Sequence, residues 1–206
     1  MRTQDHDRRA TDAESPARGE PGPLTSCRAL RALAGCLVRA AALIAHRRVH
    51  QRRTHVGRTV AFADGTRARV YRETFVDRPA PVRPVVLVLC FRLRRVRSEP
   101  AHAAFRLESE LNTVLFAGFP GFVSKLWLRH DERGRYRGFY QWDGPAEAVA
   151  YARAMWWVLA LVGEPGSVHY AVLPGFDRDE VLATPDVVGT VTEQADGWWR
   201  PIATPP

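Results

Sequence analysis

Hydrophobic and polar positions along residues 85–175 alternate between strand spacing and helical spacing. A strand places apolar side chains at every second position, whereas an amphipathic helix places them at every third or fourth position. The first strand, from Val85, is apolar on both faces, which is typical of a central strand covered on both sides. The segments in order are a strand from residue 85, a helix over 100–117, strands over 122–130 and 136–142, a helix over 145–162 and a strand over 167–173. This βαββαβ order predicts an α+β fold of the ferredoxin-like type.

Two further elements are predicted upstream of this domain. Helical spacing is kept by Leu30, Leu33, Leu37, Ala41 and Ile44. Arginines occupy the other sides, so we predict an N-terminal amphipathic helix, and Asp64-Gly65 between two alternating runs predicts a β-hairpin extension. The predicted organisation is a disordered segment at 1–23, a basic amphipathic helix at 24–53, a β-hairpin and Pro-rich linker at 54–84, the ferredoxin-like domain at 85–175 and an acidic tail at 176–206.

Large aromatic residues occupy both faces of the two strands within residues 118–142. Phe122 and Trp127 fall on opposite faces of the first strand, and Phe139 and Tyr140 on opposite faces of the second. We expect one face to lie under the helices and the other under the sheet of a second copy. The aromatic pattern therefore predicts a homodimer.

Charge and cysteine content narrow the classes of partner. Residues 1–58 carry 12 arginines against 5 acidic residues, which is +7 of the net charge of +8. Only one of the 30 basic residues, Lys125, is a lysine, which indicates a coding bias toward arginine, and no nucleic-acid partner is expected. The three cysteines are odd in number and form no C-x-x-C pair, so we expect a cytoplasmic protein with neither a disulfide framework nor a metal site.

An arginine-rich arm ends the predicted N-terminal helix. It consists of Arg47, Arg48, Arg52 and Arg53. No acidic residue lies between residues 21 and 63, and an unpaired basic block attracts anionic lipid, so peripheral membrane contact is one hypothesis. The hypothesis we prefer is internal: the leucine stripe docks on the helix over 145–162, and the acidic tail lies near the arginine-rich arm.

Two phrases of the chain resemble a known family. They are PGFVSKLW at 120–127 and GFYQW at 138–142, followed by a helix that carries Tyr151. Together they resemble the YdhR-like mono-oxygenase family of dimeric α/β barrels, over about residues 85–175. The resemblance implies a homodimer of two facing sheets, with a small-molecule pocket between each sheet and its helices. The wider superfamily includes cofactor-independent oxygenases, haem-degrading enzymes and members with no known activity.

A cofactor-independent oxygenase needs a base, a hydrogen-bond donor for the substrate anion and an aromatic wall. The catalytic candidates are His169 as base, Arg129 as anion partner and Tyr140 as proton donor. The candidates for binding a small hydrophobic or aromatic substrate are Trp127, Trp142, Tyr151, Trp156 and Tyr170. No cofactor is expected, because the resemblance places the haem-ligand histidine of haem-degrading relatives at Ala152.

Other interpretations remain open at this stage. Core packing explains the aromatic residues without any substrate, and a hydrogen-bonded strand histidine explains His169. The sequence therefore leaves two hypotheses: cofactor-independent oxidation of a small aromatic or enolisable substrate, and a non-catalytic dimeric ligand-binding or interaction module.

Overall fold

The computed structural model of the chain describes residues 26–94, 116–188 and 197–203, without the side chains of residues 26–33 and 157. The predicted disordered segment at 1–23 lies outside the described residues. So does the predicted helix over 100–117, except for its last two residues.

The centre of the fold is an antiparallel, curled sheet with helices, as in an α+β ferredoxin-like fold. The strands are β1 (Val49–Arg52), β2 (Thr59–Phe62), β3 (Arg67–Val76), β4 (Pro84–Arg92), β5 (Phe122–Leu128), β6 (Arg135–Asp143), β7 (His169–Pro174) and β8 (Pro201–Ile202). They lie in the order β7-β4-β6-β5-β3-β2-β8, and β1 pairs with β3. The four strands β7-β4-β6-β5 are those of the predicted domain, and β3 extends this sheet by pairing with β5.

The described helices are α1 (Ser26–Ala45), α2 (Pro145–Val162) and the short α3 (Arg178–Ala183), which is followed by a 3₁₀ turn at Pro185–Val188. Helix α1 is shorter than the helix predicted over 24–53, because β1 begins at Val49. The end is a Schellman motif, in which the Arg48 N–H donates to the Leu43 carbonyl at 2.8 Å and Arg47 has a φ of 52°. Glycine is usual at that position, so the sequence carries no ordinary stop signal.

Over residues 34–45, where its side chains are described, helix α1 docks through a different stripe from the predicted one. Cys36 and Ala40 are buried, whereas the predicted stripe residues Leu37 and Ile44 are 48% and 44% exposed. The contact is close because Gly118 has no side chain: a Cβ there would lie 2.0 Å from the Cys36 carbonyl oxygen. The docking face is thus chosen by backbone approach at a glycine rather than by the largest apolar side chains.

Two residues of the arginine-rich arm, Arg48 and Arg52, contact residues in or next to strand β3. Arg48 donates from Nε and Nη2 to the Asp77 carbonyl oxygen at 3.0 and 2.7 Å. The Arg52 guanidinium lies 3.7 Å from the centre of the Phe75 ring. A later arginine, Arg58, donates to the Leu182 carbonyl at 2.6 Å. It thereby contacts the described residues that follow β7, 176–188 and 197–203, which we call the C-terminal segment.

The two faces of the sheet carry separate hydrophobic cores. One core lies between the sheet, α2 and α1, and it includes Leu89, Trp127, Tyr140 and Tyr151. We call it the helix-side core. The other core contains buried residues from the opposite sheet face together with the C-terminal segment.

The C-terminal segment covers the face that the sequence analysis assigned to a second copy. Val181, Leu182, Val188 and Trp199 pack there with sheet residues such as Phe139. Arg137 also ties this segment to β6, because its Nε donates to the Trp198 carbonyl oxygen at 2.9 Å. The homodimer stays a prediction, but the chain itself buries the face that motivated it.

A β-bulge alters the predicted alternation in β5. The pairing with β6 shifts between Phe122, which faces Trp142, and Ser124, which faces Gln141. Because a bulge adds one unpaired residue, Phe122 turns to the same face as Trp127. Its ring packs edge-on against Trp142, with 5.5 Å between the ring centroids.

We predict that the C-terminal segment stabilises the sheet through Trp199, which is 3% exposed. The change Trp199→Ala should lower the free energy of unfolding by about 3 kcal/mol, because it leaves a cavity in a packed core. Urea unfolding measures this loss, with Trp198→Ala as the matched control, since Trp198 is only partly buried. Equal, small losses for both variants would show that the segment does not cover this face.

Candidate functional site

A partly enclosed cavity of about 100 Å³ lies in the helix-side core, between the sheet and α2. Its wall is largely aromatic, with residues from β3, β4, β5, β6 and α2. The aromatic lining residues are Tyr71, Phe91, Phe116, Trp127, Tyr136, Tyr140 and Tyr151. The amine of Lys125 faces this apolar space.

The pairing of β5 with β6 explains how the cavity forms. Lys125 lies directly opposite Tyr140, and Trp127 lies directly opposite Gly138. Side chains opposite each other in an antiparallel pair share a face. Gly138 has no side chain on that face, and the Tyr140 ring occupies the space above Gly138. A Cβ on Gly138 would lie 2.5 Å from the Tyr140 Cε2.

The Lys125 amine lies inside a cage of aromatic rings. Its Nζ is 3.1 Å from the centre of the Trp127 ring, 4.3 Å from that of Phe116 and 4.7 Å from that of Tyr140. The residue is only 5% exposed. Among the residues that the structure describes, no carboxylate pairs with it. The amine is therefore a buried basic group without a carboxylate partner in the part of the chain that the structure describes.

Burial lowers the pKa of Lys125 well below its usual range, and repulsion from the Arg72 guanidinium lowers this pKa further. The aromatic cage opposes this shift, because ring faces attract an ammonium ion. That attraction is worth about 2 kcal/mol at a desolvated site. Desolvation of an ammonium costs several kcal/mol in a protein interior, so desolvation decides the direction. The geometry thus favours the neutral amine.

Two tyrosine hydroxyls meet in the wall of the cavity. The Tyr151 hydroxyl donates to the Tyr140 hydroxyl at 3.1 Å. Burial raises the pKa of both phenols above the ordinary value, and the neighbouring Tyr140 raises that of Tyr151 further. Both side chains therefore stay protonated at neutral pH, and the Tyr140 hydroxyl keeps a proton that it can donate to an anion.

Two side chains of β3, Thr74 and Arg72, fix the orientation of the Trp127 ring. Its Nε1 donates to the Thr74 hydroxyl at 3.1 Å, from the neighbouring strand β3. The Arg72 guanidinium lies 3.9 Å from the ring centre. Trp127 therefore contacts two basic side chains, Lys125 and Arg72.

The structure brings only some of the sequence-predicted site residues together. Trp127, Tyr140 and Tyr151 line the cavity. Trp142 lies behind it, 4.9 Å from Tyr151 between ring centroids. Trp156 and Tyr170 pack at the border of the helix-side core but do not line the cavity.

The other two predicted catalytic residues lie elsewhere. Arg129 is exposed beyond the end of β5. His169 pairs with Cys90 at the start of β7, and it faces a surface depression that also contains Asp64 and Trp198. This depression is on the opposite side of the sheet, so the grouping of His169, Arg129 and Tyr140 in one site needs correction. Neighbouring residues of a strand point to opposite faces of the sheet. Tyr170 is on the side of the sheet where the cavity lies, so His169, the residue before it, points away from the cavity.

Sequence analysis missed Lys125 as a site residue. A signal was present, because Lys125 is the only lysine among 30 basic residues and lies within a predicted strand. An arginine cannot lose its proton in a protein, whereas a buried lysine can. A single lysine in an arginine-rich chain was therefore a chemical clue as well as a feature of composition.

The site combines an amine that can accept a proton, two hydroxyl donors and an apolar aromatic wall. Within the described residues, no group of three or more His, Cys, Asp or Glu side chains is placed to hold a metal ion. Neither is any helix in the described ranges long and apolar enough to cross a membrane. The chemistry available at the cavity is proton transfer and amine chemistry.

No family model matches the chain, and no curated protein matches it. A solved structure from Listeria monocytogenes is similar to it, with 11% sequence identity and a TM-score of 0.41. The alignment covers 63% of this chain and 92% of the other. That structure is described as an uncharacterized ferredoxin fold protein related to antibiotic biosynthesis monooxygenases.

We predict that Lys125→Met raises the stability of the fold in a pH-dependent way. The folded-state pKa of Lys125 is depressed. Between that pKa and the unfolded value of about 10.4, the unfolded chain binds more protons, so the stability of the natural protein rises with pH. The melting temperature of Lys125→Met should therefore exceed that of the natural protein most at pH 6, and the difference should narrow toward pH 9.5.

The matched control is Lys125→Arg, which keeps a permanent charge at the same position. It should be less stable than the natural protein, without the narrowing toward high pH. A melting-temperature difference between Lys125→Met and the natural protein that does not change with pH would contradict a depressed Lys125 pKa.

Proposed function

We propose that the protein is a mono-oxygenase-like enzyme that oxidises a small enolisable or aromatic molecule in the Lys125 cavity, using O₂ and no cofactor. The observation that carries this proposal is the buried Lys125 amine, which faces the cavity without a carboxylate partner among the described residues. A lysine held in this way can act as a general base near neutral pH. The role that sequence analysis gave to His169 passes to Lys125.

The cavity volume limits the substrate class. About 100 Å³ is somewhat less than the roughly 150 Å³ of a protein cavity that holds benzene. Because the cavity is only partly enclosed, a short 1,3-dicarbonyl compound or a molecule with one small ring fits by extending into its opening, whereas a fused-ring quinol is too large. The apolar wall favours the neutral form of the substrate on entry.

The first step is a proton transfer. The Lys125 amine takes a proton from the CH₂ group between two carbonyls, which leaves an enolate and an ammonium ion. The Tyr140 hydroxyl, which itself accepts a hydrogen bond from the Tyr151 hydroxyl, donates to the enolate oxygen, and such a donor is effective because it is already oriented. The ammonium and the enolate then form an ion pair in a site of low dielectric, which offsets the cost of burying each charge.

The remaining steps consume O₂. The enolate gives one electron to O₂, and the carbon radical and superoxide combine to form a C–O bond. Lys125 returns its proton to the distal oxygen, giving a hydroperoxide. Loss of the second C–H proton breaks the O–O bond, so CH₂ and O₂ become C=O and H₂O.

The test is oxygen uptake with acetylacetone as the probe, together with mass spectrometry of the product formed under ¹⁸O₂. The natural protein should add one ¹⁸O atom to the central carbon. Lys125→Met should lose on the order of 100-fold or more in rate, because it removes the base. Tyr140→Phe should lose less, because Tyr151 remains as a donor.

His169→Ala is the matched variant on the opposite sheet face, and it should oxidise acetylacetone at the natural rate. Loss of uptake in His169→Ala, with no loss in Lys125→Met, would return the role of base to His169. Quenching of tryptophan fluorescence by acetylacetone without any uptake would instead favour the non-catalytic ligand-binding module.

A further inference from the structure

The features that make Lys125 a base also make its amine a nucleophile. A lysine attacks a carbonyl carbon only as the free amine, and desolvation in an apolar pocket is one of the ways in which proteins obtain it. Lys125 is 5% exposed, and its Nζ lies within 5 Å of the centres of three aromatic rings. Within the described residues, no carboxylate holds it as an ammonium ion. The cavity beside it is open to a small neutral molecule.

We infer that Lys125 condenses with small aldehydes and ketones in this cavity and holds them as a covalent imine. This inference rests on the ligand site of the proposed function but not on the oxidation. The compound class is a neutral, apolar carbonyl compound of at most one small ring, because the cavity holds about 100 Å³.

The condensation needs a proton donor and no redox partner. The amine nitrogen forms a bond to the carbonyl carbon, and the carbonyl π pair moves to the oxygen, which is protonated to give a carbinolamine. Loss of the hydroxyl group as water, assisted by the hydroxyl pair of Tyr140 and Tyr151, leaves the C=N bond. The sum is amine plus carbonyl compound giving imine plus water.

The aromatic cage favours the product. A protonated imine is a cation, but its charge is more spread and more weakly hydrated than that of an ammonium ion. Aromatic cages recognise such bulky cations, as they do methylated lysines. The Trp127 ring, 3.1 Å from Nζ and held by the Thr74 hydroxyl, is placed to stabilise this charge.

The chain offers an internal competitor for the test. Lys125 is the only lysine of this sequence, so the primary amines of a purified chain of this sequence are the Lys125 side chain and the α-amino group at its N-terminus. In an unfolded chain the α-amino group, with a pKa of about 7.7–8.0, is far more often neutral at pH 7 than a lysine with a pKa of about 10.4. The expected order of reactivity in the folded protein is the reverse.

The experiment is reductive trapping with propanal and cyanoborohydride at pH 7, in which the hydride reduces the imine to a stable amine. Peptide mass spectrometry then gives the labelled fraction at each amine. In the folded protein Lys125 should be labelled faster than the α-amino group. In guanidinium chloride the ratio of Lys125 to α-amino labelling should fall by roughly 100-fold or more.

Matched variants separate nucleophilic from structural roles. Lys125→Arg should be labelled at the α-amino group alone, and Tyr140→Phe should slow labelling at Lys125 without changing the α-amino rate. A fused-ring aldehyde such as pyrene carboxaldehyde should label only the α-amino group of the folded protein.

Labelling of the folded natural protein at the α-amino group alone would overturn the inference, whatever the oxygen-uptake result. Selective trapping at Lys125 supports it whether or not acetylacetone is oxidised. Trapping without uptake would thus sustain the imine and reject the oxidation, whereas uptake without trapping would leave Lys125 a base only.

Discussion

The antiparallel register of β5 on β6 is the constraint on which the site depends. It sets Lys125 against Tyr140 and Trp127 against Gly138 on the face that α2 covers. A shift of one residue would move every one of these side chains to the opposite face. Gly138 is part of the same constraint, because its missing side chain leaves room for the Tyr140 ring over the strand. The cavity is therefore a product of strand pairing rather than of any single residue.

The register also decides which chemistry the cavity can support. Burial of the Lys125 amine, which has no carboxylate partner among the described residues, costs free energy that a methionine at the same position would not cost. Residues that lower stability in this way are common at functional sites, where strained or desolvated groups serve chemistry. The proposed reaction would use this desolvated amine. The C-terminal segment contributes indirectly, because Trp199 and its neighbours bury the other sheet face and so stabilise the strands that form the cavity.

Much of the fold follows from the spacing of apolar residues, and the parts that do not follow have physical causes. The alternation correctly assigned Phe139 and Tyr140 to opposite faces of β6. It could not place His169 relative to them, because that requires the register of β7 on β4 as well. The bulge before Ser124 and the left-handed Arg47 at the end of α1 depend on local hydrogen bonds that residue type does not reveal. The cover of the second face by the C-terminal segment depends on contacts between residues far apart in the sequence.

The protonation state of Lys125 tests the central claim most directly, and a single lysine makes it measurable. Protein labelled with ¹³C-lysine has one Cε signal, whose chemical shift can be followed by NMR as the pH is changed. Our account predicts that the folded protein titrates well below the value of about 10.4 that the same signal shows in denaturant. A midpoint near 10.4 in the folded protein would contradict the account, because Lys125 would then be an ordinary ammonium ion at neutral pH.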